Sequence, residues 1–187
     1  MKKSFLFCLF TGIFSLNTFA NPDYYLEKEF KSIFSAQYTE GRCGDNILGL
    51  LSRAETKGIK IESARILEIT NKGFSLFGLI NAEFARQSNR APSEKNWYHH
   101  VVLEQDGYIF DFDFGNMPTI GTVKEYFEKM FLNDVKKEHG HYVGREEKLK
   151  TYEILERPAY ETIIARRNKK AAPELRKVRL VNYLQDF

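Results

Sequence analysis

The sequence predicts an α+β fold. Three features predict it: an apolar helical pattern just after Cys43, two β-rich runs flanking Asp106-Gly107, and a capped helical pattern that begins at Thr122. Together they make helices packed on an antiparallel sheet.

The first helix follows from spacing. Ile47, Leu50, Leu51 and Ala54 recur every three or four residues, and Gly58 follows as a stop. The helix is expected from Gly44 to Lys57, with Cys43 at its N-terminal edge. Ser63 to Thr70 (SARILEIT) reads as a strand. Phe74 to Ala85 fits either a helix or a strand, and Arg86 to Asn96 reads as a loop.

The run WYHHVVLEQDGYIFDFDFGN, residues 97–116, has the composition of a hairpin. Asp-Gly favours a two-residue turn because both central residues need positive φ. Thr122 and Glu125 have the spacing of a capping box, and Val123, Phe127, Met130 and Phe131 continue it as a helix from Thr122 to Leu132. After Pro173, Leu175 to Leu184 reads as a strand, alone or followed by a short helix.

If Asp106 and Gly107 form the turn, Val102 faces Asp111 and His100 faces Asp113. Side chains alternate across a strand, so His100, Val102, Asp111 and Asp113 share one face. His99, Val101, Leu103, Phe110 and Phe112 share the other, nearly all apolar face. Either aspartate is then within reach of the His100 imidazole. His99 reads as a packed histidine of the apolar face. The plain alternative for His100 is a surface ion pair between strands.

The N-terminus reads as a secretory signal peptide, residues 1–20. Lys2 and Lys3 precede an apolar run from Phe5 to Leu16, and Thr18-Phe19-Ala20 places small residues before a cut. The run is too short for a membrane span, so no membrane anchor is expected. Residues 21–187 then form a single domain in the periplasm or outside the cell. Losing Lys2 and Lys3 takes the formal charge of +3 to about +1, so net charge identifies no partner and no nucleic acid is expected. Arg166, Arg167, Lys169, Lys170, Arg176, Lys177 and Arg179 have only Glu174 as a local acid. They read as a solvated basic stretch, with an anionic partner as the sharper alternative.

Cleavage also removes Cys8, one of two cysteines, and leaves Cys43 without a disulfide partner in its own chain. A lone thiol in an exported protein is exposed to oxidation and mispairing, which raises the question of its use. A buried inert thiol, an intermolecular bridge or a neutral accident is the plain reading. The chemical one is nucleophilic acyl transfer. A helix N-terminus favours thiolate, a histidine moves the proton, and an aspartate orients the imidazole.

A metal centre is a weaker fit. His139-Gly140-His141 is a possible ligand pair that could recruit Cys43 or His99, but there is no Cys-x-x-Cys and no His-Glu-x-x-His. Residues 139–141 read as part of a solvated loop. No phosphate-cradling glycine loop is present.

Tyr38-Thr39-x-x-x-Cys43-x-Asp45-Asn46-Ile47 resembles the cysteine motif of protein N-terminal glutamine amidohydrolases. Trp97-x-x-His100-Val101-Val102-Leu103 is similar to that family's histidine strand, and Ile109-Phe110-Asp111-Phe112-Asp113 to the strand that follows it. Arg65 to Lys72 and, more weakly, Arg176 to Phe187 add two further blocks. The resemblance implies a papain-like, transglutaminase-related cysteine hydrolase core, with the cysteine helix packed on an antiparallel sheet carrying histidine and aspartate. It implies hydrolysis of a glutamine amide to glutamate and ammonia, without metal or cofactor. It makes Cys43 the nucleophile, His100 the acid and base, and Asp111 rather than Asp113 the orienting carboxylate.

Gln37, six residues before Cys43, has the spacing of a papain-type oxyanion glutamine. Tyr38, Asp113 and Trp97 are the other candidates for oxyanion or substrate binding. Relative to the family, Asn133 to Pro173 reads as an insertion. The export signal departs from the family's cytosolic role, so the expected substrate is a protein or peptide bearing glutamine, N-terminal or internal. The alternatives are a cysteine peptidase or transglutaminase with the same triad, or a non-catalytic exported binding domain.

Overall fold

The computed structural model describes residues 22–39, 41–71, 80–81, 96–97, 100–113, 118–130, 135–138, 141–144 and 152–187. The expected signal peptide and His99 lie outside them. Among the described residues no helix is long and apolar enough to cross a membrane.

Six strands form one antiparallel sheet in the order β10-β9-β1-β4-β5-β6. In chain order they are β1 (Arg65–Asn71), β4 (His100–Gln105), β5 (Tyr108–Asp111), β6 (Thr119–Thr122), β9 (Tyr152–Pro158) and β10 (Arg176–Arg179). Two small pairs stand apart from it: β2 (Ile80–Asn81) with β3 (Asn96–Trp97), and β7 (Val135–Glu138) with β8 (His141–Gly144). The β4–β5 hairpin has the expected register, with Leu103 opposite Phe110 and Gln105 opposite Tyr108. Asp106 and Gly107 take φ of 52° and 84°, the positive values that this turn requires. Glu104 Oε1 accepts the Gly107 N–H at 2.8 Å and fixes the turn from inside.

The helices cover both faces of this sheet. On one face lie α1 (Tyr24–Ala36), α2 (Cys43–Thr56) and α4 (Ala159–Arg167). Leu26, Phe30 and Ile33 of α1, Ile47, Leu50 and Leu51 of α2, and Ile163 of α4 pack with Ile66, Leu103, Phe110 and Phe112. On the other face, Val123, Tyr126 and Phe127 of α3 (Val123–Met130) and Leu180 and Tyr183 of α5 (Leu180–Tyr183) pack with Leu67, Ile69, Val102, Ile109 and Ile154. The parity read from the hairpin therefore holds within the strands, with Val102 and Ile109 on one face and Leu103 and Phe110 on the other, but it fails for Asp113, which lies in the bend beyond β5 and bonds Tyr38 of the α1–α2 face; a single apolar face does not hold either. Both faces are buried, which makes a carboxylate on either one an interior group.

Local rules account for the helix ends. The Asp23 carboxylate accepts the Leu26 N–H at 2.9 Å and caps α1. Gly58, with φ 67°, reverses the chain after α2, and the Ile59 N–H reaches Ala54 O at 2.9 Å. The Thr122–Glu125 capping box forms in both directions at 3.3 Å. The stretch that reads as an insertion is in part integral. Its Tyr152–Pro158 segment is β9, which lies between β1 and β10, and its Ala159–Arg167 segment is α4. Its outer part holds β7 and β8, so His141 opens a strand where a loop is expected, while His139 lies outside the described residues.

The basic stretch is less bare than it reads in one dimension. Arg167 pairs with Glu55, Arg176 with Glu156 at 2.8 Å, and Lys177 with Glu153 at 2.8 Å. Folding brings in acids distant in sequence, so three of the seven basic residues of this stretch are paired.

Candidate functional site

α2 delivers Cys43 as its first residue. The chain reaches it through a tight approach from α1, in which Gly41 takes φ 70°. Asn46 locks this approach. Its Nδ2 donates to Thr39 O at 2.8 Å and its Oδ1 accepts the Thr39 N–H at 3.1 Å. The first turn of α2 rests on the start of β4, where a Cβ at Gly44 would lie 3.9 Å from Val101 Cγ2. His100 is the first residue of β4, so thiol and imidazole meet at one end of the sheet.

The Cys43 sulfur, a His100 ring nitrogen and an Asp113 carboxylate oxygen all lie within 4.8 Å of one another. His100 is buried, and its Nε2 lies 2.8 Å from Asp111 Oδ2. That bond occupies one ring nitrogen and leaves Nδ1 for the thiol. Asp111 is completely buried. Its Oδ1 accepts the Asp113 N–H at 2.8 Å, and its Oδ2 accepts the Tyr126 hydroxyl at 2.7 Å beside His100. A carboxylate held on both oxygens cannot swing, so it fixes the plane of the imidazole.

Electrostatics follow from this geometry. Burial disfavours a charged His100, but the Asp111 carboxylate and then Cys43 outweigh it. They raise the imidazole well above its usual range and favour imidazolium. Burial and the neighbouring Asp111 charge push the Tyr126 phenol well above its ordinary value, so it stays a hydrogen-bond donor.

Asp113 leaves the strand in the bend after β5 and is half-buried. The Tyr38 hydroxyl donates to its Oδ1. Tyr38 is placed for this by a row of rings. Phe34 stacks on it at 5.4 Å between centroids, Phe112 lies 6.4 Å away, and Phe30 packs on Phe112 at 4.2 Å. Phe30 and Phe34 are one turn apart on α1, and Tyr38 follows just beyond the helix's C-terminal cap, so the apolar face of α1 leads to the site.

The structure thus brings together Cys43, His100, Asp111, Asp113 and Tyr38. Gln37 lies elsewhere: it is exposed at the C-terminal cap of α1, where its N–H bonds Ile33 O at 2.8 Å. Trp97 belongs to the small β2–β3 pair, opposite Ile80. Asp45 makes an exposed pair with Arg42 at 3.1 Å. Tyr126 is the residue that sequence reasoning missed. Its signal was present: it sits on the buried stripe of α3 with Val123 and Phe127, and a phenol in a core needs an acceptor.

Chemically, the arrangement can deprotonate a thiol, hold the resulting positive charge on an imidazole, and orient that imidazole. The N–H groups of Cys43, Gly44 and Asp45 belong to the first turn of α2 and have no intrahelical acceptor. They point partial positive charge at the region in front of the sulfur. Cys43, His100 and Asp113 also offer sulfur, nitrogen and oxygen donors within reach of a single cation. No protein-family model matches the chain, and no curated protein matches it.

Proposed function

We propose that this chain is an exported cysteine amidohydrolase with a papain-like, transglutaminase-related core, and that it deamidates glutamine side chains of proteins or peptides. The observation that carries this reading is the Cys43–His100–Asp111 relay, in which buried Asp111 takes Nε2 of buried His100 and the half-buried thiol lies beside the same ring.

Cys43 thiolate adds to the carboxamide carbon. The carbonyl π electrons move to oxygen, and the oxyanion is met by N–H groups of the first turn of α2. His100 imidazolium gives its proton to the amide nitrogen, the C–N bond breaks, and ammonia leaves. Water then adds to the thioester as His100 takes its proton. The C–S bond breaks, leaving glutamate and the free thiol. Asp111 keeps the imidazole aligned through both halves.

The test is to incubate purified protein and Cys43→Ala with glutamine peptides, blocked and free at the N-terminus. Ammonia release with a one-dalton mass gain is expected from the wild type alone. Peptide cleavage would assign a peptidase, and amine incorporation a transglutaminase. Equal ammonia from wild type and mutant would end the proposal.

A further inference from the structure

We propose that Cys43 Sγ, His100 and a carboxylate oxygen of Asp113 form a binding site for Zn2+, and that the metal silences the thiol when it occupies this site. Three donors of three kinds converge here within 4.8 Å of one another, from the start of α2, the start of β4 and the bend after β5. Sulfur, imidazole and carboxylate are the ligand types of Zn2+, a borderline-soft ion that takes them tetrahedrally. Donors bonded at about 2.0–2.3 Å lie about 3.3–3.7 Å apart in such a site, so closing on the ion requires shifts of no more than about 1.5 Å.

The surrounding groups are those of a metal centre. A metal-ligating histidine ordinarily gives its second nitrogen to a carboxylate, which fixes the ring and raises its basicity. Here Asp111 holds His100 Nε2 at 2.8 Å, itself braced by Tyr126. The ligating carboxylate is ordinarily hydrogen-bonded in turn, and the Tyr38 hydroxyl bonds Asp113. Acyl transfer uses the Asp111 carboxylate and, through its backbone N–H on Asp111, the main chain of Asp113, but not the Asp113 carboxylate. The metal reading gives that carboxylate a task.

Binding is balanced simply. Zn2+ replaces the single proton shared by thiol and imidazole, which leaves to water, and Zn–S, Zn–N and Zn–O bonds form. A fourth position stays open to water. The binding site stands independently of the amidase reading, and only inhibition rests on it.

The experiment is competition with a chromophoric zinc chelator, using the purified chain and Zn2+ alone. Wild type is expected to withdraw one Zn2+ per chain. Cys43→Ser should lose this, Asp113→Asn should weaken it at least tenfold, and Tyr38→Phe by about tenfold. His141→Ala should bind as wild type does. Wild type that withdraws no zinc, or Cys43→Ser that binds undiminished, would overturn the site. If a variant does not fold, Co2+ in the wild type decides. A sulfur-to-cobalt charge-transfer band is expected, and its absence refutes ligation by Cys43. Zinc binding without ammonia release from the metal-free protein would sink the amidase reading alone. Ammonia release with no zinc binding would sink the metal site alone.

Discussion

Tyr126 and His100 share a single acceptor: both bond Asp111 Oδ2, at 2.7 and 2.8 Å. The phenol comes from α3 and the imidazole from β4, so a helix on one face of the sheet braces the relay from behind. Removing the hydroxyl leaves Asp111 with one fewer restraint while its bond to His100 remains. On the proposed amidohydrolase reading, Tyr126→Phe is therefore expected to lower kcat about tenfold, equivalent to about 1.4 kcal/mol, with KM unchanged. The lost hydrogen bond should also lower stability by about 1 kcal/mol. Steady-state kinetics and urea melts check this. A mutant with wild-type kcat would show that Tyr126 is structural only.

The imidazole offers a second measurement. The Asp111 carboxylate is the largest influence raising His100, against burial, which lowers it. The His100 ring proton signal, identified by its loss in His100→Gln, should titrate well above 6.5 in the wild type. Asp111→Asn should move it down. The sign for stability follows from the same shift. Because folding raises this group, its contribution is fully present below about pH 6.5 and is lost as pH rises through the folded value. Asp111→Asn should flatten that fall. A His100 midpoint unchanged by the substitution would contradict the assigned cause.

Much of this arrangement was legible in the sequence, for identifiable reasons. Asp106-Gly107 fixes a turn, the turn fixes the register, and the register puts His100 and Asp111 on one face. Ile47, Leu50 and Leu51 place Cys43 at a helix start by periodicity alone. What was not legible depends on tertiary contacts. α1 has a clear apolar stripe of Leu26, Phe30 and Ile33, yet only α2 and the sheet explain it. β9 lies between β1 and β10, and the partners that bury Tyr152 and Ile154 come from distant segments. The closeness of Asp113 to Cys43 arises after β5 has ended, where strand alternation no longer applies. Neutralisation of Arg176 and Lys177 by β9 acids is likewise invisible to a local charge count.

The α1–α2 contact should give the protein an acid-sensitive joint. Glu29 of α1 is buried and pairs with Lys57 and, at 3.2 Å, with Arg53. The Lys57 hydrogen bond, opposed by burial and helped by the Arg53 charge, holds its carboxyl below the usual 4.5. Folding thus lowers this group, so its contribution is present above about pH 4.5 and is lost as pH falls through the folded value. Lys57 is half-exposed, and solvent screening keeps the effect near 1 kcal/mol. Glu29→Gln should lower stability by about that amount at pH 7 and lessen its decline between pH 5 and pH 3. Parallel denaturation curves at all pH values would rule out the joint.

Asn46 tests whether the site depends on the approach to α2 rather than on the reacting groups alone. Its side chain makes two bonds to the Thr39 backbone, at 2.8 and 3.1 Å, four residues ahead of Cys43. Asn46→Ala breaks both and leaves the N–H and C=O of Thr39, an exposed residue, to bond water. A cost of about 1–3 kcal/mol is expected. The sulfur should also be held less well against His100, because Thr39 and Gly41 lie on the path that sets the start of the helix. Iodoacetamide labelling at pH 6 should then slow in Asn46→Ala relative to wild type while the protein remains folded. Asn46→Asp keeps the acceptor for Thr39 N–H and loses the donor to Thr39 O, so it should fall between the two. If all three proteins label at one rate, the approach loop contributes stability alone and the reactivity of Cys43 is set entirely by His100 and Asp111.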